Sequence, residues 1–482
     1  MLFEQQVGSR SGLNTLFLST THDGARSLGG GPEPVAPEGQ GSRESVLVSH
    51  PSGNANVRQL CLGLAEAGML DQVRTGLAFG RDPALTLPGW GLLPGRLRRE
   101  LRRRLWPAAL APYLHSDPLP DLLRLSLFRN PLLRGTTLPA RLTNWHYRSH
   151  DHRVAAWLAR APRHSLPSAV YAYEDAAAAT LSTARRRGLT TFLELPTLHS
   201  RTVHRWHMQE AQRNPAYRPM LGGLNEPAWK LRRKRVELEA ADTIVVASTL
   251  VRDSCVEAGI SSGRLLVIPY GAPVDKNPGQ WAAVGSPQAA GAADPSPAAA
   301  DRAPRRPIAL YVGRLTPAKG IHDLVAAWTT LNLPGAELQL AGMCDYPSSW
   351  VEALPPSVRW LGSLPQAELA QRYAEARLFV FPSLIDGYSL AVLEAMASGL
   401  PVLLTDRCGN RDLIEQGVNG WVVPAADPAA LADQLGQVLG DASVCQRVGE
   451  AARASVAGYG WQAYQRNLVR QLRHCLAQPR SR

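Results

Sequence analysis

The stretch from Phe379 to Pro424 constrains the fold more than any other: FVFPSLIDGYSLAVLEAMASGLPVLLTDRCGNRDLIEQGVNGWVVP. The apolar run at 378–381 reads as a buried strand, which Pro382 and Ser383 end. Asp386-Gly387 turns the chain, and the spacing predicts a short helix over 389–398. Gly399-Leu400-Pro401 stops that helix, and 402–404 reads as the next buried strand. A strand, loop, helix and strand in this order is a unit of the parallel α/β kind.

Charge placement adds a second constraint. Between Asp386 and Asp406 the sequence has a single charged residue, Glu394. On a helix it shares a face with Leu390, Ala391 and Ala397. An unpaired buried carboxylate is costly, so Glu394 needs a partner. It is either a core carboxylate satisfied by a backbone or arginine contact, or a group aimed into the cleft where open α/β sheets bind ligands.

At 482 residues the chain exceeds what one core supports, so two domains are expected. A hydrophobic content of 45% fits a globular protein, and the formal charge of +12 favours anionic partners. No apolar run reaches about 18 residues, so no spanning helix is predicted. The N-terminus has no basic-then-apolar signal pattern. The six cysteines (Cys61, Cys255, Cys344, Cys408, Cys445, Cys475) form no C-x-x-C pair or metal-ligand spacing, and read as free thiols. Together these features point to a protein that is cytoplasmic or peripheral on the cytoplasmic membrane face.

Residues 1–44 are rich in Gly, Ser and Pro and read as a disordered extension. Folding is predicted to begin with a strand at 46–49, a loop at 50–54 and a helix at 55–67 whose amino end is suited to an anion. The segment GRLRRELRRRL (95–105) sets Leu97, Leu101 and Leu105 four apart among Arg96, Arg98, Arg99, Arg102, Arg103 and Arg104. It is either a solvated basic helix or an adhesion point for anionic lipid. Asn144 to Tyr147 falls in a loop-rich region. Further on, strands alternate with helices, and Glu174, Asp175, Glu194 and His199 follow apolar strands. Residues 276–305 read as a linker, separating a first domain (45–275) from a second (306–460). A final helix is expected within 461–482.

In the second domain three features converge on one polyanion. Arg314 and Lys319 follow its first strand. Backbone N–H groups at Tyr388, Ser389 and Leu390 open a helix. Glu394 stands one turn further in. Cations and a helix start suit a diphosphate, and a carboxylate suits a pair of sugar hydroxyls.

YVGRLTPAKGI, PSLIDGYSLAVLEAMASGLPVL and GVNGWVVP resemble the donor-binding domain of the family 4 glycosyltransferases, over nearly all of 307–424. IVVAS and VIPYGAPVD resemble the family's last N-domain strand and hinge. The resemblance implies the GT-B fold: two Rossmann-like α/β domains facing each other across a cleft, the last helix crossing back to the first. It implies retaining transfer from a nucleotide-diphosphate sugar to a glycan or lipid-linked acceptor, with no metal or other cofactor. The family's E-x7-E pair falls on Asp386 and Glu394. Glu394 would hold the ribose hydroxyls and Asp386 the donor sugar. Arg314 and Lys319 would neutralise the leaving diphosphate, beside Gly313 and backbone N–H groups from Gly387 to Leu390. Gly53 and Asn54 would occupy the N-domain glycine loop. Glu194, or His199 behind it, would stand near the reacting carbon.

This chain departs from the family pattern in three places. The first carboxylate is shortened to Asp386, the usual Gly-Gly is Cys408-Gly409, and the N-domain has no obvious His at the matching strand end. A sugar-nucleotide epimerase of the same fold and a non-catalytic nucleotide-sugar-binding protein remain alternatives. Nucleic acid is not an expected partner, because no aromatic residues interleave the basic ones.

Overall fold

The structure, a computed structural model, describes residues 44–87, 89–128, 138–274 and 307–478. The expected extension up to residue 43 and the expected linker lie outside them. Two parallel sheets organise the rest. The first has seven strands in the order β3-β2-β1-β4-β5-β6-β7: β1 Val46–His50, β2 Leu70–Thr75, β3 Leu114–Ser116, β4 Ala169–Tyr173, β5 Thr190–Leu195, β6 Thr243–Val246 and β7 Leu265–Val267. The second has six, in the order β10-β9-β8-β11-β12-β13: β8 Ile308–Val312, β9 Glu337–Ala341, β10 Val358–Gly362, β11 Leu378–Phe381, β12 Val402–Thr405 and β13 Gly420–Val423. Strand order reverses between β1 and β4 in one sheet and between β8 and β11 in the other. Crevices for ligands open at the carboxyl ends of strands at such reversals.

Side-chain alternation explains the layering. In β1, Val46 and Val48 face the helix Ala55–Glu66, while Leu47 faces the opposite core with Val154, Leu158 and Leu181. Where both faces of a sheet are covered, as at the central strand β11 (LFVF), the strand is apolar throughout. The helix Trp461–Ala477 belongs to the first core: Tyr464, Leu468 and Leu472 pack there, and Gln465 donates to Gln59 at 2.7 Å.

Two expectations are corrected here. Residues 144–147 lie inside a long helix, Leu138–Arg160, rather than in a loop-rich region. Its buried face is His146, His150, Val154 and Leu158 at four-residue spacing. Two of those four are histidines, so apolar periodicity did not reveal it. The arginine-rich helix, Gly95–Arg102, buries Leu101 and half-buries Leu97. Arg104 follows it and turns inward to Asp121 at 3.1 Å, its side chain only 10% exposed, instead of joining a solvent or lipid face. No helix among the described residues is long and apolar enough to cross a membrane.

The two domains meet through polar contacts and a shared apolar wedge. Arg213, ending the helix Ser200–Arg213, donates to Asp323 of the second domain at 2.7 Å and to Glu210 of its own helix at 2.6 Å. His322 Nε2 lies 2.8 Å from Glu210. Glu210, His322 and Asp323 are close enough to share a cation, and the Arg213 guanidinium supplies the positive charge. Thr249 donates its hydroxyl to Asp412 at 2.6 Å, and Ser248 donates to the Gly387 carbonyl at 2.8 Å.

Candidate active site

The crevice of the second domain is framed by the loops after β8 and β11. Gly313 opens the first loop, its N–H donating to the Ala341 carbonyl at 2.9 Å. Lys319 closes that loop. Its ammonium pairs with Asp386, donates to the Ile385 carbonyl at 3.1 Å, and lies 5.8 Å from the Phe381 ring centre. Lys319 and Asp386 therefore meet across the strand-order reversal. Arg314 projects outward, 60% exposed, and pairs with Asp345 at 2.9 Å.

The loop after β11 leads to the helix Leu390–Ala397. Gly387 presses on the first domain: a Cβ there would stand 2.5 Å from the Pro196 carbonyl oxygen. Tyr388 is deeply desolvated, its ring 5.8 Å from Tyr270 and its hydroxyl without a hydrogen-bond partner among the described residues. Tyr388 and Leu390 pack against the first domain's core, and Ile385 packs against that domain's other face. The expectation for Ser389 is corrected. Its N–H is taken by the Asn410 side-chain oxygen at 2.6 Å, and Asn410 returns a bond to the Ser389 carbonyl at 3.1 Å. Asn410 thus stiffens the helix start, a role sequence reasoning missed. The one signal available was an uncharged polar residue just past a buried strand.

Glu394 stands one turn into that helix. It accepts from the Tyr373 hydroxyl at 3.2 Å. Burial pushes its carboxyl up to about 7, and the tyrosine bond opposes this only weakly. No arginine or lysine pairs with Glu394 among the described residues.

In the first domain the loop after β1 holds Gly53 and Asn54. Gly53 adopts a left-handed φ of 59°, and a side chain there would strike the Trp106 indole. Its N–H donates to His50 Nδ1 at 2.8 Å. Asn54 caps the 55–66 helix, its side-chain oxygen accepting from Val57 N–H at 3.0 Å.

Glu194 and His199 do not come together beside this loop. Glu194 is 2% exposed and accepts from Tyr171 at 2.6 Å and Tyr270 at 2.5 Å; burial raises its carboxyl. It is a core carboxylate, placed there by strand alternation rather than presented to the cleft. His199 starts the 200–213 helix, accepting from Arg201 N–H at 3.2 Å, and burial lowers it to about 4.

What does gather at the end of β1 is a histidine cluster that the sequence did not reveal. His150 Nε2 lies 3.0 Å from Ser49 Oγ, and His146 Nε2 lies 3.2 Å from the Pro51 carbonyl. Burial, aided by neighbouring His146, lowers His50 to about 3. His150 is lowered by burial and by His50 and His146. All three stay neutral at pH 7. Asp121 lies beneath them with Arg104 and Arg124, the latter at 2.7 Å. His146 and His150 reach His50 from one helix at a spacing of four, and their polar identity hid the pattern.

Two doubly wound parallel domains joined over such crevices define the GT-B class of fold. Residues 295–455 match the family described as "Glycosyl transferases group 1". A D-inositol 3-phosphate glycosyltransferase of Nocardia farcinica is 30% identical over 276 residues, covering 54% of this chain and 58% of the relative. The amylovoran biosynthesis glycosyltransferase AmsK of Erwinia amylovora is 36% identical over 161 residues, 30% of this chain and 39% of the relative. The chain spans less than two thirds of the length of these curated relatives. Among solved structures, sucrose-phosphate synthase from Thermosynechococcus elongatus superposes with a TM-score of 0.60 at 20% identity, covering 90% of this chain and all of that one. Anabaena HepE in complex with UDP superposes with a TM-score of 0.56 at 15% identity, covering 89% of this chain and all of that one. These likenesses are of fold.

Proposed function

We propose that the protein is a retaining glycosyltransferase that takes a nucleotide-diphosphate sugar as donor and works without a metal ion. The observation that carries this reading is the pair formed by Lys319 and Asp386 across the strand-order reversal, one helical turn from a desolvated Glu394. Glu394 accepts the two ribose hydroxyls. Lys319, with Arg314 swung in from Asp345, neutralises the diphosphate, and the N–H groups of Gly387 and Tyr388 add to it. Asp386 contacts the sugar. In the reaction the C1–O bond to the diphosphate breaks and the nucleoside diphosphate leaves with the electron pair. The acceptor oxygen bonds to C1 on the same face, and its proton passes to the leaving phosphate. Cationic stabilisation of that leaving group is the main catalytic contribution. Domain contact at Gly387 and Arg213 excludes water while donor and acceptor meet.

HepE structures hold UDP and UDP-glucose, and AmsK is named for amylovoran biosynthesis. Both support a nucleotide-sugar donor and a glycan or lipid-linked acceptor in cell-surface polysaccharide or glycoconjugate synthesis. The protein works in the cytoplasm, with exposed Arg99, Arg102 and Arg103 touching the anionic membrane face beside exposed Leu92. The test is a screen of nucleotide sugars for slow donor hydrolysis by purified protein, which needs no acceptor. Release of free sugar as its original anomer is expected from one donor. Conversion of a donor to an epimeric nucleotide sugar, or no turnover of any donor, would overturn the reading.

A further inference from the structure

At the carboxyl end of β1 a cavity of about 420 Å³ opens between the Ser52–Ala55 loop and the arginine-rich segment. Arg58, Arg103, Arg104 and Arg124 line it. The carboxylates that meet these arginines are Glu100, 3.4 Å from Arg103 and 3.9 Å from Arg104, and Asp121, 3.1 Å from Arg104 and 2.7 Å from Arg124. Four cations against two anions leave the cavity with a net positive charge of about two.

Arg58 is the informative member. It has no ion-pair partner among the described residues. One of its amino groups donates to the Arg103 carbonyl at 2.7 Å, its guanidinium lies 5.5 Å from the Trp106 ring centre, and its Nε is buried without a hydrogen-bond partner among the described residues. Burial and the neighbouring Arg104 both disfavour its charge. Arg104 is itself nine-tenths buried. Two such guanidiniums side by side, facing an open space, are relieved by an anion placed between them. The amino end of the 12-residue helix 55–66 borders the same space and favours negative charge.

We propose that this cavity binds a phosphate group carried by the acceptor. Planar guanidinium forks fit phosphate oxygens in pairs, and a dianion matches the excess charge. The cavity is lined wholly by residues of the first domain, whereas Arg314, Lys319 and Glu394 belong to the second, so donor diphosphate and this phosphate have separate cationic sets. The word "acceptor" rests on the transferase reading above; the phosphate site does not.

Titration calorimetry on the full chain tests the proposal, with inorganic phosphate and glycerol 3-phosphate as probes, with and without saturating UDP. One-to-one binding that UDP leaves unchanged is expected. Arg58→Gln should weaken it about 10-fold, the loss of a charged hydrogen-bond donor. Arg103→Glu, at a side chain that is 70% exposed and safe for folding, should weaken it at least as much. UDP affinity should not change in either variant. Displacement of phosphate by UDP, no phosphate binding, or equal binding in both variants overturns the proposal. Failure of the wild-type protein to bind UDP would instead count against the transferase reading. Sedimentation with phosphatidylcholine vesicles containing phosphatidylglycerol separates the sources. Vesicle binding displaced by glycerol 3-phosphate supports the site with a lipid headgroup as its ligand; phosphate binding without vesicle competition supports it with a soluble phosphomonoester.

Discussion

Replacing Glu394 with glutamine should stabilise the free protein while damaging its binding of nucleotide. The carboxyl titrates near 7 instead of its ordinary 4.5, because burial disfavours the charged form and Tyr373 is its one donor among the described residues. At about 1.4 kcal/mol per pH unit, the folded state gives up about 3 kcal/mol once the group is fully ionised. The sign follows from linkage. A raised carboxyl binds more protons folded than unfolded, so stability is full below pH 4.5 and falls as pH rises through 7. Glutamine keeps the shape and carries no charge. Glu394→Gln should therefore exceed wild type by less than about 1 kcal/mol at pH 5 and by about 3 kcal/mol at pH 8.5, raising Tm by a few degrees. Ribose hydroxyls donating to the carboxylate favour its charged form, so UDP binding near pH 6.5 should release a proton. Calorimetry in two buffers of different ionisation enthalpy reads that release, and denaturation at the two pH values reads the stability. Equal stability differences at pH 5 and 8.5 would refute the desolvated carboxylate. UDP binding without proton release, and undiminished in Glu394→Gln, would refute its role.

Three further outcomes follow from the same geometry. Lys319→Ala should lower kcat by roughly 10²–10³ with a smaller change in donor affinity, read by steady-state kinetics; wild-type kcat would remove Lys319 from the reaction. Arg213→Ala leaves the nearly buried Glu210 and Asp323 without their shared cation. It should loosen the domain contact, visible as a larger radius of gyration by X-ray scattering and a roughly 10-fold lower kcat/KM. Gly387→Ala puts a methyl 2.5 Å from the Pro196 carbonyl. It should also open the domains and cost turnover while leaving UDP affinity within about twofold, since a methyl adds no charge to the site.

The second domain was the more legible one because its chemistry sits in an apolar background. Strands 378–381 and 402–405 stand out as apolar runs, and Glu394 is conspicuous as the one charge between Asp386 and Asp406. Lys319 and Asp386 could each be placed on a loop after a strand, and the resemblance brought them together. Their direct pairing depends on strand order, which no local pattern carries. The first domain hid its site for the opposite reason. Behind its β1 loop lie His146, His150, Asp121 and Arg104, residues that read as surface until helix packing turns them inward. Glu194 was misread by the same logic in reverse. It follows apolar residues at a strand end, yet alternation sends it among buried tyrosines. Asn410 clamps Ser389 from beyond the next strand, a distance that sequence spacing does not encode.

The backbone passes between the domains at two places that touch. Ala272, just past β7, donates its N–H to the Tyr459 carbonyl at 2.9 Å, and Gly271 packs so closely on Gly460 and Trp461 that a Cβ there would lie 2.8–2.9 Å from their backbone atoms. The returning segment then continues into the helix Trp461–Ala477, locked in the first core by Tyr464 and Leu468. Two neighbouring tethers act like the knuckles of a door hinge. They permit a swing about the line joining them and oppose sliding or twisting. The far edge, where Arg213 meets Asp323, is the latch of that door.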